Sequence, residues 1–213
     1  MKKKYPYFVH FFACDLLSTM FKVMRSPIHV IGKENLPLNP PFIIACNHSS
    51  IADIPVLMTQ CRYPLVFFAK EKLRYAPLLG YNLIAMQHLL INRSDVRQAL
   101  KQMEEAKKKM QYRPIVIFPE GTRSLTGELL PFKKGAFHLA VQTGIPILPC
   151  YLSGTSTLIP KRFFWMSPSH ITLNIGSLIH VEKKEKSEEK AYAKEVLDKV
   201  YKAISDLKDR SGL

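Results

Sequence analysis

His48 and Asp53 lie five positions apart in Asn47-His48-Ser49-Ser50-Ile51-Ala52-Asp53, and an imidazole beside a carboxylate is the pairing that makes a general base. On one continuous helix, at about 100° per residue, they would sit roughly 140° apart and could not face each other. A strand–turn–helix path removes that obstacle. Ser49 and Ser50 make the turn, the helix starts near Asp53, and Pro55 is tolerated in its first turn. The carboxylate then reaches back to the ring, fixes its tautomer and stabilises its protonated form. The same two residues also fit a helix-capping aspartate beside an ordinary loop histidine.

A histidine base needs a nucleophile to activate. A serine triad would require a strained Gly-x-Ser-x-Gly turn, and the chain contains none. Ser49 and Ser50 follow His48 too closely to complete an obvious triad, and Cys46 sits in an apolar run, where a thiol is inert packing. What remains is a hydroxyl of the substrate itself, deprotonated by His48 as it attacks. The stretch Phe118-Pro119-Glu120-Gly121-Thr122-Arg123-Ser124 has the makings of an anion site. Gly121 lets backbone amides approach an anion, and Arg123 can grip a phosphate through two parallel hydrogen bonds. Lys70 and Arg93 add positive charge, while Lys133 and Lys134 are further cations that fit a solvent-facing surface equally well.

Short apolar runs provide the scaffold. Ile28–Ile31 reads as an opening strand. Phe42–Cys46, Leu65–Ala69, Leu89–Ile91, Ile115–Phe118 and Ile147–Leu152 have the length of buried strands, and Ile171–Ile175 is a candidate for another. Helical spacing fills the gaps. Val96, Leu100, Met103 and Met110 form a stripe behind a capping Ser94, and Lys134–Thr143 is closed by Gly144 and Pro146. From Ser187 to Lys208, Tyr192, Val196, Val200, Ala203 and Leu207 form another stripe. Strands alternating with helices predict a single α/β domain with a mostly parallel central sheet flanked by helices. Polar residues follow each of the five runs after the opening strand: Asn47-His48, Lys70, Arg93, Glu120 to Arg123, and Ser153-Gly154-Thr155. If the strands are parallel, these ends share one edge, where open α/β sheets place ligands.

At 213 residues the chain has room for one domain with a substantial core. Lys and Arg number 31 against 17 Asp and Glu, a net charge of +14 that favours nucleic acid, anionic lipid surfaces, phosphorylated substrates or acidic carrier proteins. No nucleic-acid-binding motif accompanies the charge, so nucleic acid is not expected as a partner. Cys14, Cys46, Cys61 and Cys150 are dispersed, offer no metal-ligand spacing and read as reduced, mostly buried residues. No metal is expected.

Lys2, Lys3 and Lys4 precede an apolar stretch from Tyr5 to Met24 that superficially resembles a signal peptide. His10, Asp15 and Lys22 interrupt it, and it falls short of the ~20 apolar residues of a transmembrane helix. Phe8, Phe12, Leu16 and Val23 recur at helical spacing, with Phe11, Met20 and Phe21 widening the apolar face. Residues 1–26 therefore read as an amphipathic, membrane-associating segment ahead of a domain spanning 27–213. An ordinary helix packed on its own domain fits the same pattern.

Four blocks stand in order along residues 28 to 155. The first is Asn47 to Asp53, a histidine–four–aspartate motif, and the second runs from Lys70 through Leu73, Pro77 and Gly80 to Ile91-Asn92-Arg93. The third is Phe118 to Ser124 with Phe132-Lys133-Lys134-Gly135-Ala136, and the fourth is Ile145-Pro146-Ile147-Leu148-Pro149. Jointly they resemble the glycerolipid acyltransferase family, especially the 1-acylglycerol-3-phosphate acyltransferases. The resemblance implies a glycerol-3-phosphate acyltransferase-like α/β fold. It makes His48 the base, Asp53 its orienting partner, and Lys70, Arg93 and Arg123 the holders of the acceptor phosphate, with Glu120, Gly121 and Thr122 at the acceptor. The implied reaction moves a fatty acyl chain from acyl-CoA or acyl carrier protein to the sn-2 hydroxyl of 1-acylglycerol-3-phosphate, directly and without a further cofactor. Implied partners are the lysophospholipid acceptor, the thioester donor (an acidic acyl carrier protein among the options) and an anionic membrane. The implied location is the cytoplasmic face of a membrane, peripheral or monotopic. The blocks leave open the same chemistry on glycerol-3-phosphate, another lysophospholipid or an amino-acid lipid. A basic membrane-binding module without catalysis is the rival from another class.

Overall fold

The structure, a computed structural model, describes residues 7–61, 63–77, 79–91, 105–109, 111–160 and 166–210. Its strands are β1 (Ile28–Ile31), β2 (Ile43–Cys46), β3 (Val66–Lys70), β4 (Leu89–Ile91), β5 (Ile115–Ile117), β6 (Ile147–Ser153) and β7 (Ile171–Ile175). Its helices are α1 (Tyr7–Val23), α2 (Asp53–Cys61), α3 (Leu79–Ala85), α4 (Gly135–Thr143), α5 (Thr155–Leu158) and α6 (Lys186–Asp209), and residues 105–109 are also helical. The stripe expected between Ser94 and Met110 lies mostly outside the described residues.

The strands form one seven-stranded sheet in the order β1-β7-β6-β2-β5-β3-β4. β6, β2, β5, β3 and β4 are mutually parallel. β7 pairs antiparallel with β6, and β1 pairs parallel with β7. The central strands are apolar throughout because both faces of the sheet are covered. In β2, Ile43 and Ala45 join one buried cluster while Ile44 and Cys46 join the other, as the two-residue period of a strand requires.

One face is covered by α4 and α6. Ala193, Val196, Val200 and Ile204 are the buried stripe of α6, shifted slightly from the expected Tyr192-Val196-Val200-Ala203-Leu207. α4 ends at Gly144, whose φ of 67° and N–H to Ala140 O bond of 2.8 Å complete the expected stop. The other face is covered by α2, through Val56, Leu57 and Cys61, and by Phe21 of α1. α1 thus rests on the domain, with Cys14 donating to Met58 O at 3.3 Å. Its outer side exposes Phe12, Leu16 and Val23, three residues of the expected apolar face. Among the described residues, no helix is long and apolar enough to cross a membrane.

The connections leave the middle of the sheet in opposite senses. From β2 the chain passes through α2 on one face to β3, whereas from β5 it passes through α4 on the other face to β6. β2 and β5 are neighbours, so a crevice opens between their carboxyl ends. Such a switch point is where open α/β sheets bind ligands.

Candidate active site

Asn47 and His48 follow β2, and the four residues Ser49 to Ala52 turn the chain into α2, whose first residue is Asp53. The turn brings the side chains together: His48 Nδ1 lies 2.8 Å from Asp53 Oδ2. The same oxygen accepts the N–H groups of Ser49 at 2.9 Å and Ser50 at 3.0 Å. Asp53 therefore braces the turn ahead of its helix and holds the imidazole, while the hydroxyl that accepts a helix-entry N–H is that of Ser50, from Ala52 at 3.2 Å. The carboxylate is fully buried, whereas the His48 side chain keeps 18% of its surface exposed. With Nδ1 committed to Asp53, the nitrogen across the ring, Nε2, has no partner among the described residues.

The loop after β5 grips His48 from the other side. Phe118 stacks on the imidazole, with centroids 4.0 Å apart and planes within 17°. Glu120 Oε1 accepts the His48 N–H at 2.8 Å, and Ser124 N–H donates to the His48 carbonyl at 2.8 Å. The second oxygen of Glu120 accepts Leu130 N–H at 3.2 Å. Glu120, expected at the acceptor, is thus 3% exposed, with main-chain donors on both oxygens; it anchors the backbone of His48. Burial pushes its carboxyl above the usual range, against the lowering effect of those two N–H bonds.

The remaining cations occupy different positions. Gly121 has φ +71°, and a Cβ built there would meet Lys133 Cδ, Cε and Nζ at 2.9 Å. The Lys133 chain therefore lies across the glycine, while its own N–H donates to Pro119 O at 2.8 Å. Lys133 is exposed, as a solvent-facing charge would be, and its chain also lies along the loop. Arg123 is half-buried in the same loop, Thr122 is exposed, and Lys134 is exposed just before α4. Lys70 is exposed at the end of β3, two strands from β2 and so roughly 10 Å to the side. Arg93 lies outside the described residues.

Asn47 was not singled out for a role of its own. It spans from β2 to β6, donating to Leu152 O at 2.9 Å and accepting Leu152 N–H at 2.7 Å. Thr155 is fully buried and donates to Asp53 Oδ1 at 2.5 Å. The only sequence signal for it was the polar cluster behind β6. Cys46 is completely buried and burial holds its thiol well above the ordinary range, as inert packing requires. Among the described residues no cluster of three or more His, Cys, Asp or Glu could hold a metal ion.

This arrangement offers an oriented base at an open edge, beside a loop carrying a glycine and cations. It suits deprotonation of a bound hydroxyl next to an anionic group. Comparison with known proteins agrees. The acyltransferase family model matches residues 27–153. A 1-acyl-sn-glycerol-3-phosphate acyltransferase of Saccharomyces cerevisiae is 36% identical over 84% of this chain and 60% of its own length. That of Cocos nucifera is 36% identical over 75% of this chain and 52% of its own, so the chain spans between half and two thirds of these two relatives. That of Borreliella burgdorferi is 31% identical over 94% of this chain and 80% of its own. The crystal structure of the 1-acyl-sn-glycerophosphate (LPA) acyltransferase PlsC from Thermotoga maritima matches with a TM-score of 0.76 at 31% identity, over 94% of this chain and 80% of that one.

Proposed function

Because the chain belongs to the acyltransferase family, we propose that it moves a fatty acyl chain from a thioester to the sn-2 hydroxyl of 1-acylglycerol-3-phosphate, giving phosphatidic acid. The observation that carries the reading is the His48–Asp53 contact at 2.8 Å, with Asp53 buried and Nε2 left for a substrate. In this mechanism Nε2 takes the proton of the acceptor hydroxyl as its oxygen attacks the thioester carbonyl. The ion pair with Asp53 stabilises the imidazolium; the tetrahedral oxyanion collapses with cleavage of the C–S bond, and the departing sulfur takes the proton back from Nε2 to leave as the thiol. No acyl-enzyme forms on this path. The acceptor phosphate binds Arg123 and Lys133 beside Gly121, with Lys70 contributing from the end of β3 and Arg93 a further cation by family resemblance. The donor is acyl-CoA or acyl carrier protein, the latter favoured by the +14 net charge where the carrier is acidic.

The protein works at an anionic membrane on the cytoplasmic side, attached peripherally. The exposed Phe12, Leu16 and Val23 of α1 support that attachment.

An acceptor panel tests the reaction, with products identified by mass spectrometry. Lysophosphatidate should be converted to phosphatidate well ahead of glycerol-3-phosphate and of neutral monoacylglycerol. His48→Ala should lose at least about a hundredfold in rate while remaining folded. Equal use of monoacylglycerol would remove the phosphate role, and a variant within tenfold of wild type would remove the base.

A further inference from the structure

Asp53 is fully buried, and its two oxygens are served unequally. Oδ2 receives three donors, from His48 Nδ1 and the N–H groups of Ser49 and Ser50. Among the described residues, Oδ1 receives one, the Thr155 hydroxyl. A Thr hydroxyl has a single proton, and it is spent on the carboxylate; the 3.0 Å contact between Ser49 Oγ and Thr155 Oγ1 therefore has Ser49 as donor. The result is an ordered chain, Ser49 to Thr155 to Asp53 to His48, in which each hydroxyl proton has one assignment.

The backbone is shaped to deliver Thr155 to that point. Gly154 follows β6 with φ +82°, and a Cβ there would lie 2.0 Å from the His170 carbonyl oxygen. Only glycine lets the chain turn so tightly against the start of β7, and the turn places Thr155 under Asp53. Ser169 Oγ closes the corner by donating to Gly154 O at 2.8 Å.

We infer that Thr155 is a positioning residue for catalysis. Its hydroxyl holds the second oxygen of Asp53, so that the first stays aligned with His48 Nδ1 and the buried carboxylate stays fully solvated by the protein. An unpaired oxygen on a buried anion is costly, and the carboxylate would rotate or recruit another donor to avoid it. Either response spoils the alignment of the ring. The inference rests on the reading of His48 as the base.

Choice of variant matters, because a recess of about 220 Å³ is lined in part by Ser49, Ser153 and the two chain neighbours of Thr155, Gly154 and Ser156. Truncation to Ala opens space into which water can follow and replace the hydroxyl. Thr155→Val keeps the side-chain shape and removes the donor to Asp53, together with the acceptor of the Ser49 hydroxyl. It should lower kcat roughly ten- to a hundredfold, the worth of one hydrogen bond to a charged group. The acceptor KM should stay within about twofold, and Thr155→Ser should restore most of the rate. In an Asp53→Asn background Thr155→Val should cost less than about threefold, because the carboxylate through which it acts is gone. The inference is overturned if Thr155→Val keeps wild-type kcat, if it loses the same factor with Asn at position 53, or if Ser does not rescue. Should the Val variant not fold, Thr155→Cys, a weak donor of similar size, makes the same comparison against Ser. The two readings separate cleanly: an active His48→Ala defeats the general-base assignment, whereas an inactive His48→Ala beside a fully active Thr155→Val defeats only the role of Thr155.

Discussion

Gly121 takes φ +71° directly beneath the Lys133 chain, so a methyl group there meets both a disfavoured backbone conformation and the lysine's last three atoms at 2.9 Å. The lysine is flexible and will move aside, taking its charge away from the loop. Gly121→Ala should therefore raise the KM for lysophosphatidate about tenfold with a smaller effect on kcat, read from initial rates. An unchanged KM would detach Lys133 from the acceptor. The pair His48 and Asp53 was legible in the sequence because one turn spans the whole interaction. Thr155 and Asn47 were not legible as partners. Each acts across more than a hundred positions, on Asp53 and Leu152 respectively, and no local pattern encodes a meeting between the ends of β2 and β6. Glu120 shows the same limit: its motif was recognisable, but its use as a main-chain acceptor for His48 depends on β5 lying next to β2.

Among the elements, α1 shows how far periodicity reaches. Its sequence is apolar on nearly every side, so spacing alone could not say which side packs. Cys14 and Phe21 face the domain, while Phe12, Leu16 and Val23 are exposed at 62%, 62% and 78%. Deleting the helix would strip cover from α2 and confuse loss of attachment with loss of stability. Serine at positions 12, 16 and 23 removes the outer face alone. This triple variant should keep its melting temperature and sediment less with anionic liposomes; full sedimentation would place the anchor elsewhere. The strands were legible for a different reason. Buried on both faces, they stand out as continuous apolar runs, accurate here to within a residue or so at each end. The reversed direction of β7 was not legible, since an apolar run carries no sign of its orientation.

For the whole molecule, acid should be the weak direction. Burial, reinforced by Arg113 and Lys109, pushes His88 down to about 3, and its Nδ1 accepts the Phe67 N–H at 3.3 Å. The folded chain keeps this ring neutral, whereas the unfolded chain protonates it below about pH 6.5. Its contribution is thus fully present above that pH and is lost as pH falls toward 3, at up to about 1.4 kcal/mol per pH unit. Urea unfolding at pH 6.5 and 5 should differ by up to about 2 kcal/mol from this group, and His88→Asn should flatten the difference. A pH-independent wild type would contradict it. The shared carboxyl edge is the global feature the sequence foretold best, because polar residues behind parallel strands can converge nowhere else. The four cysteines carry a practical consequence of the same dense packing. All are buried, and burial holds the thiols of Cys46, Cys61 and Cys150 above their ordinary range, Cys61 at about 12. A chromogenic disulfide reagent mixed with the native protein should therefore colour only with the thiol leaving a thioester donor, giving turnover a silent background. Once urea opens the fold, the same reagent should register the protein's own sulfur, so one dye can time both the chemistry and the loss of the structure that performs it.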